Sequence, residues 1–278
     1  MSAMRPGVRG QGSGDRKQDS ESFMSGNRFR IRSLAIVLAA LAGMVALGWL
    51  TGQWLPLTWN RPSKVEPSAA QVSEMPLGNQ IAAVERGASA TIHVTALPVG
   101  GREVAELVQL KGLQIMQLDH LDNAVGDEDC QAITRLSALV QLRIRGGSVG
   151  DAGVAHLAAL RNLRILNLPQ SRVTDRGLRL LANAPRLSQL RLGSPQITDD
   201  GLKSLANFPA LKQLHLIDAP ITDKGLKTIA ALLKLESLYL DGSRVTDAGL
   251  DRLFRVRSDL HVHIDQQHHD RDPNTDHP

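Results

Sequence analysis

The sequence predicts an α/β solenoid, with a parallel sheet along one side and short helices along the other, preceded by a single membrane-spanning helix. Two observations predict the solenoid. Asp127, Asp151, Asp175, Asp199, Asp223 and Asp247 recur every 24 residues, and Gly153, Gly177, Gly201, Gly225 and Gly249 keep the same phase. Leu118, Leu142, Leu166, Leu190, Leu214 and Leu238 also repeat at that spacing, each within a short alternation of apolar and mostly polar residues. A fixed period of this length is the mark of stacked repeats. The third observation is a run without charge, residues 33–60, which predicts the membrane helix.

Charge separates the N-terminal part from the rest. Residues 1–32 hold seven bases and three acids, which accounts for the whole net charge of +4, so the remainder is neutral. A basic excess confined to the flank of an apolar segment fits membrane topology better than phosphate contacts, and no nucleic-acid partner is expected. As a helix, the 21 residues Leu34–Trp54 would reach about 31 Å, close to the hydrocarbon thickness of a bilayer. Trp49, Trp54 and Trp59 stand at its far end, where indoles favour the headgroup level. The positive-inside rule then places the N-terminus in the cytoplasm and the remainder outside, in the periplasm or at the cell surface. A cleaved signal peptide is the competing reading, with Ala46-Leu47-Gly48 as its site and Met24 as an alternative start.

The expected division follows from these signals: a basic cytoplasmic segment at 1–32, a transmembrane helix or signal anchor at 33–59, and a linker at 60–77 containing Pro62, Pro67 and Pro76. Residues 78–114 read as an N-terminal cap, with a helix near Asn79–Arg86, a strand near Thr91–Ala96, and helical spacing of Val104, Leu107 and Leu110. The repeats occupy 115–265, closing on a strand around Val262 and Ile264. The tail, 266–278, has no aliphatic residue and is expected to be disordered.

Leu163 to Ala182, LRILNLPQSRVTDRGLRLLA, shows the unit well. Its L-x-x-L-x-L half alternates like a strand with one buried face, and its D-x-G-L-x-x-L-A half has helical spacing. The six aspartates stand at the helix starts, where a side-chain oxygen can cap a free N–H, so they are expected as structural N-caps. Neither half buries its apolar side alone, so stacking must supply the core. An aromatic share of 3% makes that core aliphatic.

This pattern resembles the leucine-rich-repeat family, in particular the V-T-D-x-G-L variety frequent in bacterial proteins. The resemblance implies a curved solenoid with its strands on the concave face, and an activity of binding, usually of proteins, rather than catalysis. The chain departs from the family in places. Where many members carry an asparagine column it has Asn123, Gly147, Ser171, Pro195, Ala219 and Ser243, so Asn123 alone matches. The first unit has Asp129 in place of glycine, and His120 where later units have Ile144 or leucine.

Strand alternation directs two columns to the concave face. One reads Gln117, Gln141, Ile165, Gln189, Gln213, Ser237, His261, and the other Asp119, Arg143, Asn167, Arg191, His215, Tyr239, His263. From these, Gln141, Arg143, Asn167, Gln189, Arg191, Gln213, His215 and Tyr239 are the candidate partner-binding residues, against the bland alternative of a solvated polar face. Cys130 shares a core column and is expected buried. No cofactor is expected and no metal site: calcium needs several oxygens where each unit offers one regular carboxylate, and a zinc or nickel site on His215, His261 and His263 would have to span two rungs. Catalytic motifs are absent, so the expected function is non-catalytic: a membrane-anchored extracytoplasmic domain binding an unknown protein partner. Binding of cell-wall glycan or another polysaccharide, and a purely structural spacer, are the alternatives.

Overall fold

The computed structural model describes residues 71–72 and 74–268. The segments expected at 1–32 and 33–59, most of the linker, and the tail beyond 268 lie outside the described residues. Among the described residues no helix is long and apolar enough to cross a membrane.

Strands and helices alternate in chain order: α1 (Leu77–Glu85), β1 (Thr91–Val94), α2 (Gly101–Leu107), β2 (Ile115–Leu118), α3 (Asp127–Ile133), β3 (Gln141–Ile144), α4 (Asp151–Leu157), β4 (Ile165–Leu168), α5 (Asp175–Leu181), β5 (Gln189–Gly193), α6 (Asp199–Leu202), β6 (Gln213–Ile217), α7 (Asp223–Ala230), β7 (Ser237–Asp241), α8 (Asp247–Val256), β8 (His261–Ile264) and β9 (Gln267–His268). A 3-10 turn, Lys203–Asn207, continues α6. The strands lie in one sheet in sequence order, parallel from β1 to β8, with β9 returning antiparallel. The sheet thus runs past residue 265 into the segment expected to be tail, through a tight turn with Asp265 and Gln266 at positive φ.

Alternate strand residues are buried, as the sequence pattern requires: Leu142 and Ile144 on β3, and Leu166 and Leu168 on β4, are sealed against the helix layer. Val104, Leu107, Ile133, Leu157 and Leu181 close the layer from the helix side, making one continuous aliphatic core. Cys130 is fully buried within it, and desolvation pushes its thiol pKa up to about 12, which makes it inert filling.

Strand register corrects one expectation. Successive strands pair at 24-residue offsets, as Thr91 with Ile115 and Gln141 with Ile165. Between β2 and β3 the offset is 26, so Ile115 faces Gln141 and Gln117 faces Arg143. The extra two residues sit in the loop after β2, around Asn123. Asn123 is buried there: its Oδ1 accepts the Val99 N–H at 2.7 Å, and its Nδ2 donates to Leu118 O at 2.9 Å and Arg145 O at 2.8 Å. Hence Gln117 belongs beside Arg143, Asp119 lies beyond its strand's end, and the core partner of Ile144 is Leu118, not His120. Rung β2 is regular once the insertion is taken up.

The role expected of Asp127, Asp151, Asp175, Asp199, Asp223 and Asp247 is also corrected. Each is the first residue of its helix, and the N-cap position belongs to Gly126, Gly150, Thr174, Thr198, Thr222 and Thr246. The threonine hydroxyls do the capping, accepting from Arg176, Asp200, Lys224 and Gly249 N–H at 3.1–3.2 Å. The aspartates reach across to the next rung instead. Asp151 accepts the Thr174 N–H at 2.8 Å and its hydroxyl at 2.7 Å. Asp175 does the same for Thr198, Asp199 for Thr222 and Asp223 for Thr246.

This ladder explains the glycine column. A Cβ on Gly177, Gly201, Gly225 or Gly249 would collide with the carboxylate of the preceding rung, as would one on Gly153 with Asp127. It also explains Asp129. The preceding rung has Gly101 at the aspartate position, so no carboxylate fills the space, and Asp129 turns back to accept its own N-cap Gly126 N–H at 2.9 Å.

Near each end of the stack one buried side chain satisfies backbone groups that the repeat leaves open. Gln80, buried on α1, matches β1 like a strand: its Oε1 accepts the His93 N–H at 2.7 Å and its Nε2 donates to His93 O at 2.8 Å. At the other end Arg257, 2% exposed, donates to Leu232 O at 2.8 Å and Leu235 O at 2.7 Å, its charge met by Asp259 at 2.8 Å. Satisfying the last carbonyls this way makes the buried charge tolerable.

Candidate functional site

The sheet face turned away from the helices carries the candidate residues. In register its central column runs His93, Gln117, Arg143, Asn167, Arg191, His215, Tyr239, His263, and the flanking column Thr91, Ile115, Gln141, Ile165, Gln189, Gln213, Ser237, His261. The strands' pleat puts all eight predicted residues on this face, most of them half-buried among their neighbours, with Gln213 exposed.

The two ends of the column are built alike. At one end His93 Nε2 lies 2.8 Å from Asp119 Oδ2. Arg143 Nε is 2.6 Å from Asp119 Oδ1, close enough for an ion pair though out of line for a hydrogen bond, which leaves both atoms without one. At the other end His215 Nε2 lies 2.8 Å from Asp241 Oδ2, and Asp241 Oδ1 also accepts the Gln266 N–H at 3.1 Å. In each pair the aspartate stands at the C-terminal end of a strand, Asp119 just past β2 and Asp241 as the last residue of β7, and reaches diagonally to the histidine of the preceding rung. Desolvation pushes the His215 pKa below its usual value, and the nearby Arg191 charge adds to this, against the hydrogen bond that Asp241 accepts from the ring.

Beyond His215 the rings form a stack. Tyr239 lies parallel to His263, with centroids 4.4 Å apart, and tilted against His215 at 5.3 Å. His261 Nε2 and His263 Nε2 are 2.7 Å apart, so one ring must offer a lone pair to the other's N–H. Among the described residues no group of three or more His, Cys, Asp or Glu is placed to hold a metal ion.

Between these ends lies a depression of about 220 Å³, lined by Asn167, Gln189, Arg191, Gln213, His215 and Tyr239, with Ile165 beside them. Its polar groups are incompletely satisfied: Asn167 Oδ1 and Arg191 Nε are buried without hydrogen-bond partners. A larger depression of about 550 Å³ on the helix side is lined by Asp127, Asp151 and Arg172. Those groups are already engaged, the aspartates with the next rung and Arg172 with Ser148 O at 2.8 Å. The face is therefore the better site, since unsatisfied buried polar atoms in a native structure call for a partner.

Sequence reasoning placed the eight residues on one face but missed Asp119 and Asp241 as the acids that occupy Arg143 and His215. It also missed His93, on the strand expected within the N-terminal cap. The signal for the histidine–aspartate pairs was present in the sequence as a repeated 26-residue spacing, His93 to Asp119 and His215 to Asp241.

No protein-family model matches the chain, and no curated protein matches it. Among solved structures, internalin C2 from Listeria monocytogenes is 26% identical over 62% of this chain and 67% of that one, with a TM-score of 0.43. A second internalin from the same organism is 21% identical over 71% of this chain and 58% of that one, at 0.49. A leucine-rich-repeat protein of Leptospira interrogans is 17% identical over 63% of this chain and 55% of that one, at 0.41. The chain spans little more than half the length of the second and third of these. The structural neighbours are leucine-rich-repeat proteins with a parallel-strand repeat fold.

Proposed function

We propose that this chain is a non-catalytic, membrane-anchored binding module whose sheet face engages a protein partner outside the cytoplasm. The observation that carries the binding site is the pair of buried, unpartnered polar atoms, Asn167 Oδ1 and Arg191 Nε, beside the depression at the centre of the face. Leaving such groups unmet costs about 1–3 kcal/mol each, which a partner would recover. Support for the anchor and its orientation is the uncharged segment 33–60, its basic N-terminal flank and its tryptophans.

The glycan alternative loses its platform. Tyr239 is the aromatic residue available for stacking on a sugar, and its ring is held between His215 and His263.

The test is photocrosslinking of the full-length protein in its native envelope, with the probe at exposed Gln213 and a control probe at Arg179 on the helix side. One protein enriched at Gln213 over the control, and lost when Arg143→Ala is combined with Arg191→Ala at unchanged Tm, is the expected result. Glycan alone at Gln213 would revive the alternative, and no enrichment over the control would favour the spacer.

A further inference from the structure

The middle of the sheet face has a chemistry that narrows its partner. Arg191 on β5 makes no ion pair among the described residues, and its Nε is buried without a hydrogen-bond partner. Its cross-strand neighbour on β4, Asn167, buries an acceptor, Oδ1, in the same state. The nearby acids are spent: Asp119 on His93 and Arg143, Asp241 on His215 and the Gln266 N–H. Burial, with the charges of Arg143 and Arg145 added, pushes the Arg191 pKa below its usual value despite Asp241, so this guanidinium lacks adequate compensation. A donor and an acceptor left unmet side by side do not suit a fully ionised phosphate, which offers acceptors alone. They suit a peptide, whose backbone N–H can answer Asn167 while an acidic side chain answers Arg191.

We infer that the face receives an extended acidic peptide segment, with a main-chain N–H donating to Asn167 Oδ1 and a carboxylate accepting from the Arg191 guanidinium. This rests on the binding-module reading and gives it a ligand class. The depression of about 220 Å³, flanked by Gln189 and Gln213, has room for a side chain or two. The remaining polar contacts would come from those glutamines.

The test uses the full-length chain in detergent micelles and fluorescence polarisation of three probes: an eight-residue alternating Gly–Glu peptide, its Gly–Gln counterpart, and inorganic polyphosphate. The Glu peptide should bind about ten-fold or more tightly than the Gln peptide, the scale of one charge-assisted bond. Arg191→Ala should remove that margin. Asn167→Asp should remove it too, by supplying the missing carboxylate from within. Arg176→Ala, on the exposed side of α5, should leave it intact, and thermal unfolding checks that each variant is folded. Equal affinity for the Glu and Gln peptides, no binding of the Glu peptide, or a margin that survives Arg191→Ala overturns the inference. So does polyphosphate bound as tightly through Arg191. The two readings separate at the Gln213 crosslink: a native protein partner still captured by Arg191→Ala keeps the module and sinks the acidic-peptide chemistry, whereas no partner captured by the unaltered chain sinks the module itself.

Discussion

Helices α2 and α3 and the five that follow them satisfy the same backbone group in opposite ways. At α2 and α3 the N-cap N–H is met from inside the helix, Gly100 by Glu103 at 3.0 Å and Gly126 by Asp129 at 2.9 Å. From α4 to α8 it is met by the aspartate of the preceding rung, beginning with Gly150 and Asp127 at 2.7 Å. The first arrangement completes a helix by local contacts. The second makes each helix start depend on its neighbour, and so adds polar coupling to the aliphatic contacts that already join rungs. The price is a fixed glycine in every later helix, which the first two do not need.

The largest expected effect tests that constraint. Helix propensity alone says that Gly201→Ala should stabilise by about 1 kcal/mol. The collision with the Asp175 carboxylate should reverse the sign, to a loss of about 1–3 kcal/mol in denaturant unfolding. Gly101→Ala, whose Cβ would stand 3.1 Å from Asp129 Oδ1, should stay within about 0.5 kcal/mol of neutral. If both behave alike, the two regions do not differ in the way described.

Next in size is Asp175→Ala, which removes both bonds to Thr198 and should cost about 1–2 kcal/mol. Combined with Thr198→Ala the losses should be less than additive, because the two side chains share one interaction. Asp129→Ala, which removes a single local bond, should cost about 0.5–1 kcal/mol and show no coupling to the next rung.

Smaller still is a gain. Gly150 occupies the cap position that threonine fills in later rungs; a Cβ there would make ordinary contact, 3.4 Å from Asp127 Oδ2, and φ is −119°. Gly150→Thr should therefore extend the ladder and raise stability by a few tenths to about 1 kcal/mol, read as a rise in Tm. A fall in Tm would mean that the hydroxyl does not reach Asp127.

Acid titration sharpens the comparison from another side. The Thr246 N–H, then its hydroxyl and the Arg252 charge, hold the Asp223 pKa below the usual carboxylate value. With the folded pKa lowered, this stabilisation is complete above the ordinary pKa of about 3.9 and is lost as pH falls through the folded value. Asp223→Asn should flatten the stability profile below pH about 4, and an unchanged slope there would contradict the assignment.

The fold was legible because leucine and aspartate repeat in phase through six units. The register of β2 was not, and the reason is physical. An insertion of two residues preserves strand parity, so every side chain keeps its face while its neighbour changes. Arg143 was thus placed on the correct face but beside Asp119 in the column, not beside Gln117. The cross-rung role of the aspartates was hidden for a related reason. An Asp at a helix start reads as a local cap, whereas its bonding partner lies 23 residues further on. In V-T-D-x-G-L the preceding threonine was the clue to the true cap, since its hydroxyl serves that position equally well. The unpartnered state of Arg191 and Asn167 could not be read from sequence, because it depends on which acids the folded sheet brings within reach.

The Gln80 carboxamide has a consequence for how molecules meet. A stack of parallel strands is open-ended by construction, and a bare first strand would offer its N–H and C=O groups to the sheet of another copy. By occupying both backbone groups of His93, Gln80 makes the first strand a poor template at its centre. Wherever copies meet at high concentration, that one side chain works against edge-to-edge growth of the sheet.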